Sequence, residues 1–319
     1  MEIIMKYITD FQEGGRISGI YLCKQKTSAM TKNGKPYENV ILQDKTGVID
    51  GKIWDPNSNG IEDFDALDYI DVIGEVTSFA GALQVNMKRV RKAHEGEYDP
   101  SDYLPVSENS TDVMMNFLLE KIGSVQNPYL NALLKSFFVE DPDFVRDFTS
   151  HSAAKSVHHS FIGGLLEHTA SVTRFCEYLA GAYPILNHDL LITAAILHDI
   201  GKVKELSSFP LNDYTDEGQL LGHIVIGAQM IHDHIRLIPD FPETLGNMLI
   251  HCILAHHGEL EFGSPKKPAL AEAVALNMAD NTDAKMETLT EIFSADKSKK
   301  EWLGYNRLFE SNLRKTGEI

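Results

Sequence analysis

Residues 194–202 read AAILHDIGK, and the pair at their centre, His198-Asp199, governs how the rest of the chain is read. Apolar residues precede the pair and Ile200 follows it. An ionised carboxylate loses several kcal/mol on burial unless it is paired or metal-bound, so something must compensate Asp199. The ordinary alternative is a helix that stops at Gly201, leaving Asp199 in solvent and His198 hydrogen-bonded. That alternative weakens because histidines and a further aspartate recur along the chain, each on helical apolar spacing.

In GGLLEHTASVTRFCEYLAG, beginning near Gly163, His168 shares helical spacing with Val172, Phe175 and Leu179, which points its imidazole inward along an apolar stripe. His198 follows Leu191 and Ala195 in the same way, and Asp199 ends that helix. His223 lines up with Gly227 and Met230; His256 with Leu245, Leu249 and Cys252; His257 with Ile250 and Ile253. Asp280 falls on a face with Ala273, Leu276 and Asn277. A single inward histidine is ordinarily a satisfied core residue. A whole set on separate helices would need a separate buried partner for each, and a shared cation meets that need.

His168, His198, Asp199 and Asp280 form one mixed imidazole and carboxylate set with positions left for water. The second oxygen of Asp199 is free to reach a neighbouring ion, completed by His223 and by His256 or His257. Such ligands favour manganese, cobalt, iron or zinc over magnesium. Two ions about 3.5 to 4 Å apart acidify a water and draw charge from a phosphate during in-line displacement. The chemistry indicated is metal-assisted phosphoester hydrolysis, with Asp199 and His223 at the reacting centre. Lys202 is placed to offset transition-state charge, or is simply a lysine near a helix end. His158 and His159 either contact substrate or metal from the entering loop or lie on the surface.

Upstream, from Gly15 to Lys92, Val, Ile, Leu and Tyr alternate with polar residues, and the breaks are turn chemistry: Asn33-Gly34, Asp44 to Gly47, and Ala80-Gly81. Five strands, with a short helix expected over about Ile61 to Leu67, fit a small closed barrel of the OB type. Such barrels offer aromatic faces and a basic track to single strands. Candidate stackers are Tyr37, Trp54 and Phe79; candidate phosphate contacts are Lys32, Lys35, Lys88, Arg89, Arg91 and Lys92. The alternatives are core aromatics and a solvated strand edge. We expect a barrel over 1–95, a polar linker over 96–112, an all-α bundle over 113–300 and a tail over 301–319.

Among the 319 residues, three cysteines form no CxxC pair, so neither a disulfide framework nor a zinc ribbon is indicated. The start lacks a signal-peptide core, and no run approaches the roughly 18 apolar residues of a membrane span. A reducing, cytoplasmic setting without membrane association is expected. The net charge of −17 excludes gripping polyanions by bulk electrostatics, so any attraction to nucleic acid must be local.

His168, the His198-Asp199 doublet and Asp280 resemble the H…HD…D signature of HD-domain metal-dependent phosphohydrolases. His223 and AHHG at 255–258 look like the branch that binds two metals. With VILQDKTGVIDGKIWD in the barrel and GGLLEHT, ILHDIGKVKEL, LLGHI, AHHGELEFGSPKKP and ADNTDAKM beyond it, the chain is similar over nearly its whole length to the YhaM-type 3'-5' exoribonucleases of Gram-positive bacteria. Where that family has Asn before its His-His, this chain has Val157.

The resemblance implies an OB barrel followed by an HD bundle. It also implies a manganese- or cobalt-dependent enzyme trimming single-stranded RNA, with DNA as an alternative substrate, from the 3' end to nucleoside 5'-monophosphates. A homo-oligomer is a further implication of the family alone. Lys204, Tyr214, Lys266, Lys267 and Lys285 are candidates for lining a substrate channel, against a solvated Pro-flanked loop for Lys266 and Lys267. Two other functions fit the same residues: a nucleotide phosphohydrolase with an accessory barrel, and a non-catalytic single-strand binder whose metal is structural. The open metal positions argue against the latter.

Overall fold

The computed structural model describes residues 6–107, 109–155, 159–296 and 300–316. His158, a candidate contact above, lies outside the described residues. The chain divides into two compact units, Met1–Val106 and Ser107–Ile319.

In the first unit, β1 (Arg16–Met30), β2 (Pro36–Asp44), β3 (Gly47–Ile53), β4 (Tyr69–Phe79) and β5 (Ala82–Lys92) close into a barrel of order β1-β2-β3-β5-β4. The N-terminal half of β1 pairs with β4 and its C-terminal half with β2, the strand bending at a register shift between Cys23 and Gln25. A parallel pairing of β3 with β5 completes the ring, which is OB connectivity. Alternation turns Ile17, Tyr21, Val40, Leu42, Ile53, Val72, Val76, Val85 and Met87 inward to a closed apolar core. The turns form where their residues demand. Asp44 Oδ1 accepts from the backbone N–H groups of Thr46 (2.7 Å) and Gly47 (3.2 Å), and Ala80 and Gly81 both have positive φ.

Two expectations for this unit need correction. Residues 61–67 are not helical: Ile61 bridges to Val90 in parallel, and Phe64 is buried in the barrel core beneath the Lys26 ammonium, 4.2 Å from the ring centroid. Extended backbone lets that one large ring enter the core, and the burial outweighs local helix preference. The first half of the expected linker, 96–112, is folded onto the barrel. Tyr98 stacks on Tyr69 at 3.8 Å between centroids, Tyr103 and Leu104 are buried, and Asp102 accepts from the Tyr7 hydroxyl and from Lys45 Nζ, each at 2.8 Å. A polar run carrying two tyrosines has no periodicity, yet those rings supply enough apolar area to dock it.

The second unit is helical: α1 (Thr111–Ser124), α2 (Pro128–Phe138), α3 (Pro142–Ser150), α4 (Gly164–Ala182), α5 (His188–Leu197), α6 (Lys202–Glu205), α7 (Asp216–Ile235), α8 (Glu243–Ala255) and α9 (Ala271–Ala295). A hairpin, β6 (Trp302–Asn306) with β7 (Ser311–Arg314), occupies the segment read as a tail. The helix starts follow their caps. Asn127, Asp141, Asn187 and Thr215 each accept from a backbone N–H two or three residues on, and Pro128 and Pro142 occupy first-turn positions. Residues 190–197 of α5, LLITAAIL, are apolar except for Thr193 and all buried, as a helix enclosed by its neighbours must be. On α4 the buried row runs His168, Val172, Cys176; Phe175, expected inward, is 37% exposed, where it lines an open groove with residues of α9.

Candidate metal centre

Five helices deliver their polar residues to one place. α4 carries His168, α5 ends in His198 and then Asp199, α7 carries His223 just beyond a break at Gly222, α8 ends in His256 and His257, and α9 carries Asp280. His168, His198, Asp199 and His256 are almost wholly buried. Gly201 explains part of the HDIGK spacing. A Cβ there would lie 2.1 Å from the His223 carbonyl oxygen, so only glycine lets this turn pass against α7.

The first group converges on His168 Nε2, which lies 3.1 Å from His198 Nε2, 3.2 Å from Asp280 Oδ1 and 3.4 Å from Asp199 Oδ2. The tautomers follow from the partners. His198 Nδ1 faces the Ala195 carbonyl at 2.8 Å and His168 Nδ1 faces Asp283 Oδ2 at 2.7 Å; both partners accept, so both Nδ1 atoms donate. In its neutral form each ring then turns a lone pair inward, toward two carboxylate oxygens. Four acceptors this close require a positive charge among them. A cation with ligands about 2.1 Å away sets right-angled donors roughly 3 Å apart, close to these separations.

The second group is His223, His256 and His257, whose ligand atoms lie within 4.8 Å of one another. His223 Nδ1 donates to Glu205 at 2.9 and 3.0 Å, and His256 Nδ1 donates to the Ile253 carbonyl at 2.6 Å. Their Nε2 atoms are buried without a hydrogen-bond partner, an expensive state for a polar atom that a cation relieves. Asp199 Oδ1 stands 3.5 Å from His223 Nε2 and 3.8 Å from His256 Nε2, while its Oδ2 faces the first group. One carboxylate thus serves both groups. Both groups are of a kind that could hold a metal ion.

Without an ion the two groups differ: the carboxylates around the first favour a protonated His168, a positive charge that a bound cation would replace, whereas the second stays neutral at His256. Burial alone would lower the His168 pKa, but Asp199, Asp280 and Asp283 outweigh it and hold it well above the ordinary value. Burial would raise Asp199, but Lys202 and His198 outweigh it and hold its carboxyl well below the usual range. Burial and the neighbouring His257 keep His256 well below the ordinary histidine value, hence neutral with its lone pair available. Lys202 begins the short α6 rather than ending a helix, and its Nζ lies 2.6 Å from Asp199 Oδ2.

Spacing does not single out Glu205 or Asp283. Asp283 lies one turn after Asp280 on α9, so its shared face is visible in the sequence, although its target is not. Glu205 gives no such signal, because it meets His223 across two different helices. Burial would raise the Glu205 carboxyl; His223 outweighs it and holds it below the usual range.

The HD domain family matches residues 165–285, which span His168, the doublet and Asp280. The 3'-5' exoribonuclease YhaM of Geobacillus sp. (strain WCH70) is 36% identical over 285 residues, covering 89% of this chain and 87% of that protein. The chain belongs to the YhaM family of 3'-5' exoribonucleases. Among solved structures, the second OB-fold domain of replication protein A from Methanococcus maripaludis is 19% identical over 30% of this chain and all of that one, with a TM-score of 0.22. The mitochondrial single-stranded DNA binding protein Rim1 of S. cerevisiae is 13% identical over 27% of this chain and all of its own, also at 0.22. Scores this low add nothing to the barrel's own topology.

On the barrel of this YhaM-family chain, Tyr37 and Trp54 stack at 5.2 Å between centroids with Trp54 half exposed, and Phe79 projects at the β4–β5 turn. The basic candidates divide. Lys88 pairs with Glu75 at 3.0 Å, Arg91 with Asp71 and Glu97, and Lys92 with Asp68 at 2.6 Å, so carboxylates of the barrel already match that part of the expected track. Among the described residues Lys32, Lys35 and Arg89 carry no ion pair and stay exposed. In the helical unit Tyr214 is exposed beside Lys155, Lys204, Lys266 and Lys285 are exposed, and Lys267 pairs with Glu259. His159, expected to contact substrate or metal or else to lie on the surface, is not on the surface: it is 2% exposed, with Nε2 3.0 Å from Asp283 Oδ2. None of the helices is long and apolar enough to cross a membrane among the described residues.

Proposed function

We propose that this chain is a metal-dependent 3'-5' exoribonuclease that hydrolyses phosphodiester bonds of single-stranded RNA, with single-stranded DNA as an alternative substrate, releasing nucleoside 5'-monophosphates. The observation that carries this reading is Asp199, whose Oδ2 faces His168 and His198 while Oδ1 faces His223 and His256. His168, His198, Asp199 and Asp280 would hold one divalent ion, and Asp199, His223, His256 and His257 a second, with manganese the best fit and cobalt, iron or zinc able to substitute. When bound, such a pair lowers the pKa of a water and withdraws charge from the phosphate.

The remaining work falls to the chain. The Ala195 and Ile253 carbonyls and the Glu205 carboxylate hold His198, His256 and His223 in the tautomers that turn Nε2 toward the cation. Lys202 keeps a positive charge beside Asp199, against which the extra negative charge of the transition state develops. Tyr37, Trp54 and Phe79 offer faces to successive bases, each stack contributing about 1–3 kcal/mol. Lys32, Lys35 and Arg89 then supply local attraction that the acidic chain as a whole does not.

The test uses short RNA labelled at its 5' end, manganese, and wild type beside Asp199→Ala. A stepwise ladder present in wild type and absent in the variant is expected, with mononucleotides as product. An oligomer left intact by the wild type would overturn the reading. A parallel metal analysis should find up to two ions per chain in wild type and fewer in the variant.

A further inference from the structure

We infer that Asp283 and His159 are positioning residues that set the orientation and tautomer of His168, and through it the affinity for the first divalent ion. The inference rests on the ligand set proposed above. Asp283 Oδ2 lies 2.7 Å from His168 Nδ1 and 3.0 Å from His159 Nε2, so one carboxylate oxygen accepts from two imidazoles. The three residues come from α9, α4 and the segment entering α4, and their ligand-capable atoms lie within 4.8 Å of one another.

This group does not double as a further cation site. His168 Nδ1 can bind an ion only by losing the proton that fixes its Nε2 lone pair toward Asp199 and Asp280, so the two uses compete. The relay reading matches donors to acceptor at Asp283: its Oδ2 accepts twice, from one nitrogen of each imidazole.

His159 is held for the task. It is a non-glycine residue with φ 58°, and its carbonyl accepts from Ala153 N at 3.0 Å. A Cβ on Gly164 would lie 2.0 Å from that carbonyl oxygen, so the glycine at the start of α4 is what permits the entering segment to press against the helix one turn before His168. His159 is 2% exposed and therefore has no edge for a strand to touch. Its Nδ1 is buried without a partner, and the residue lines a cavity of about 210 Å³ with Glu167, Ser171, Asp283 and Glu287. A residue this costly to bury, whose other nitrogen is committed to Asp283, acts on that carboxylate.

The experiment measures binding of Mn²⁺ alone to full-length, metal-stripped protein by electron paramagnetic resonance and calorimetry, with the absorption spectrum of bound Co²⁺ as a second readout. Asp283→Asn keeps the shape but removes the charge, and should weaken one of the two binding events by about 10–100-fold and shift the Co²⁺ bands. His159→Gln, whose amide N–H replaces the imidazole donor, should stay within about threefold of wild type, whereas His159→Ala should fall between the two. The melting temperature of each stripped variant separates affinity from folding. If Asp283→Asn and His159→Ala both bind Mn²⁺ as wild type does, or lose affinity only as far as they lose stability, the inference is wrong. Should Asp283→Asn not fold, the contrast between His159→Gln and His159→Ala decides alone. Wild type that binds no Mn²⁺ overturns the ligand assignment itself. Two ions lost in Asp199→Ala but retained in Asp283→Asn overturn the relay only.

Discussion

Asp199 is an anion kept charged in a buried place by Lys202 and by imidazoles on both sides, and the same arrangement makes each neighbour's removal informative. Glu205→Gln leaves an acceptor for His223 but no charge. We expect affinity for the second ion to fall about 10–100-fold with little change at the first, checked by manganese titration. Lys202→Met is a sharper test of catalysis than of binding. It should lower kcat by about 10²-fold while at least one ion still binds; a variant with unchanged kcat would remove Lys202 from the mechanism. His159 shows how far residue type alone can mislead, since a histidine beside a loop reads as a surface contact until its burial and its bond to Asp283 are known.

Secondary-structure elements set the distances these side chains need. The turn after α5 passes under α7 only because Gly201 lacks a Cβ, and α7 itself breaks at Gly222 immediately before His223. Gly201→Ala must therefore push backbone rather than a side chain. A loss of about 3 kcal/mol, seen as an earlier urea midpoint, should come with displaced His223 and weaker metal binding. On the barrel the Tyr37–Trp54 stack joins β2 to the residue after β3. Trp54→Ala should weaken binding of a short single-stranded oligonucleotide by about 1–3 kcal/mol and leave hydrolysis of a dinucleotide unchanged. Lys88→Ala, whose charge Glu75 already matches, should change oligonucleotide binding much less than Lys35→Ala.

For the whole molecule, two units with separate cores and one set of metal ligands give a divided response to chelation. A ligand present at about 100 times its Kd stabilises the state that binds it by about 2.7 kcal/mol. At about 2–4 °C per kcal/mol for a unit of this size, stripping the metal should lower the melting transition of the helical unit by roughly 5–10 °C. The barrel's transition should hold still, and calorimetry of wild type with and without chelator reads both. A single transition that moves as one would contradict independent units.

The residues that carry the fold announce themselves locally. Alternation, turn pairs such as Ala80-Gly81, capping residues and the apolar run of α5 each act within a few positions, and the inward histidines share that helical spacing. What spacing cannot express is partnership between elements far apart in the chain. Asp283 reaching His168 across 115 positions, Glu205 behind His223, Phe64 drawn into the barrel in place of a helix, and carboxylates cancelling Lys88, Arg91 and Lys92 all depend on which surfaces meet. Periodicity is a property of the backbone, whereas the compensation of a buried charge is a property of the packed neighbourhood, and only the tertiary structure assembles that neighbourhood.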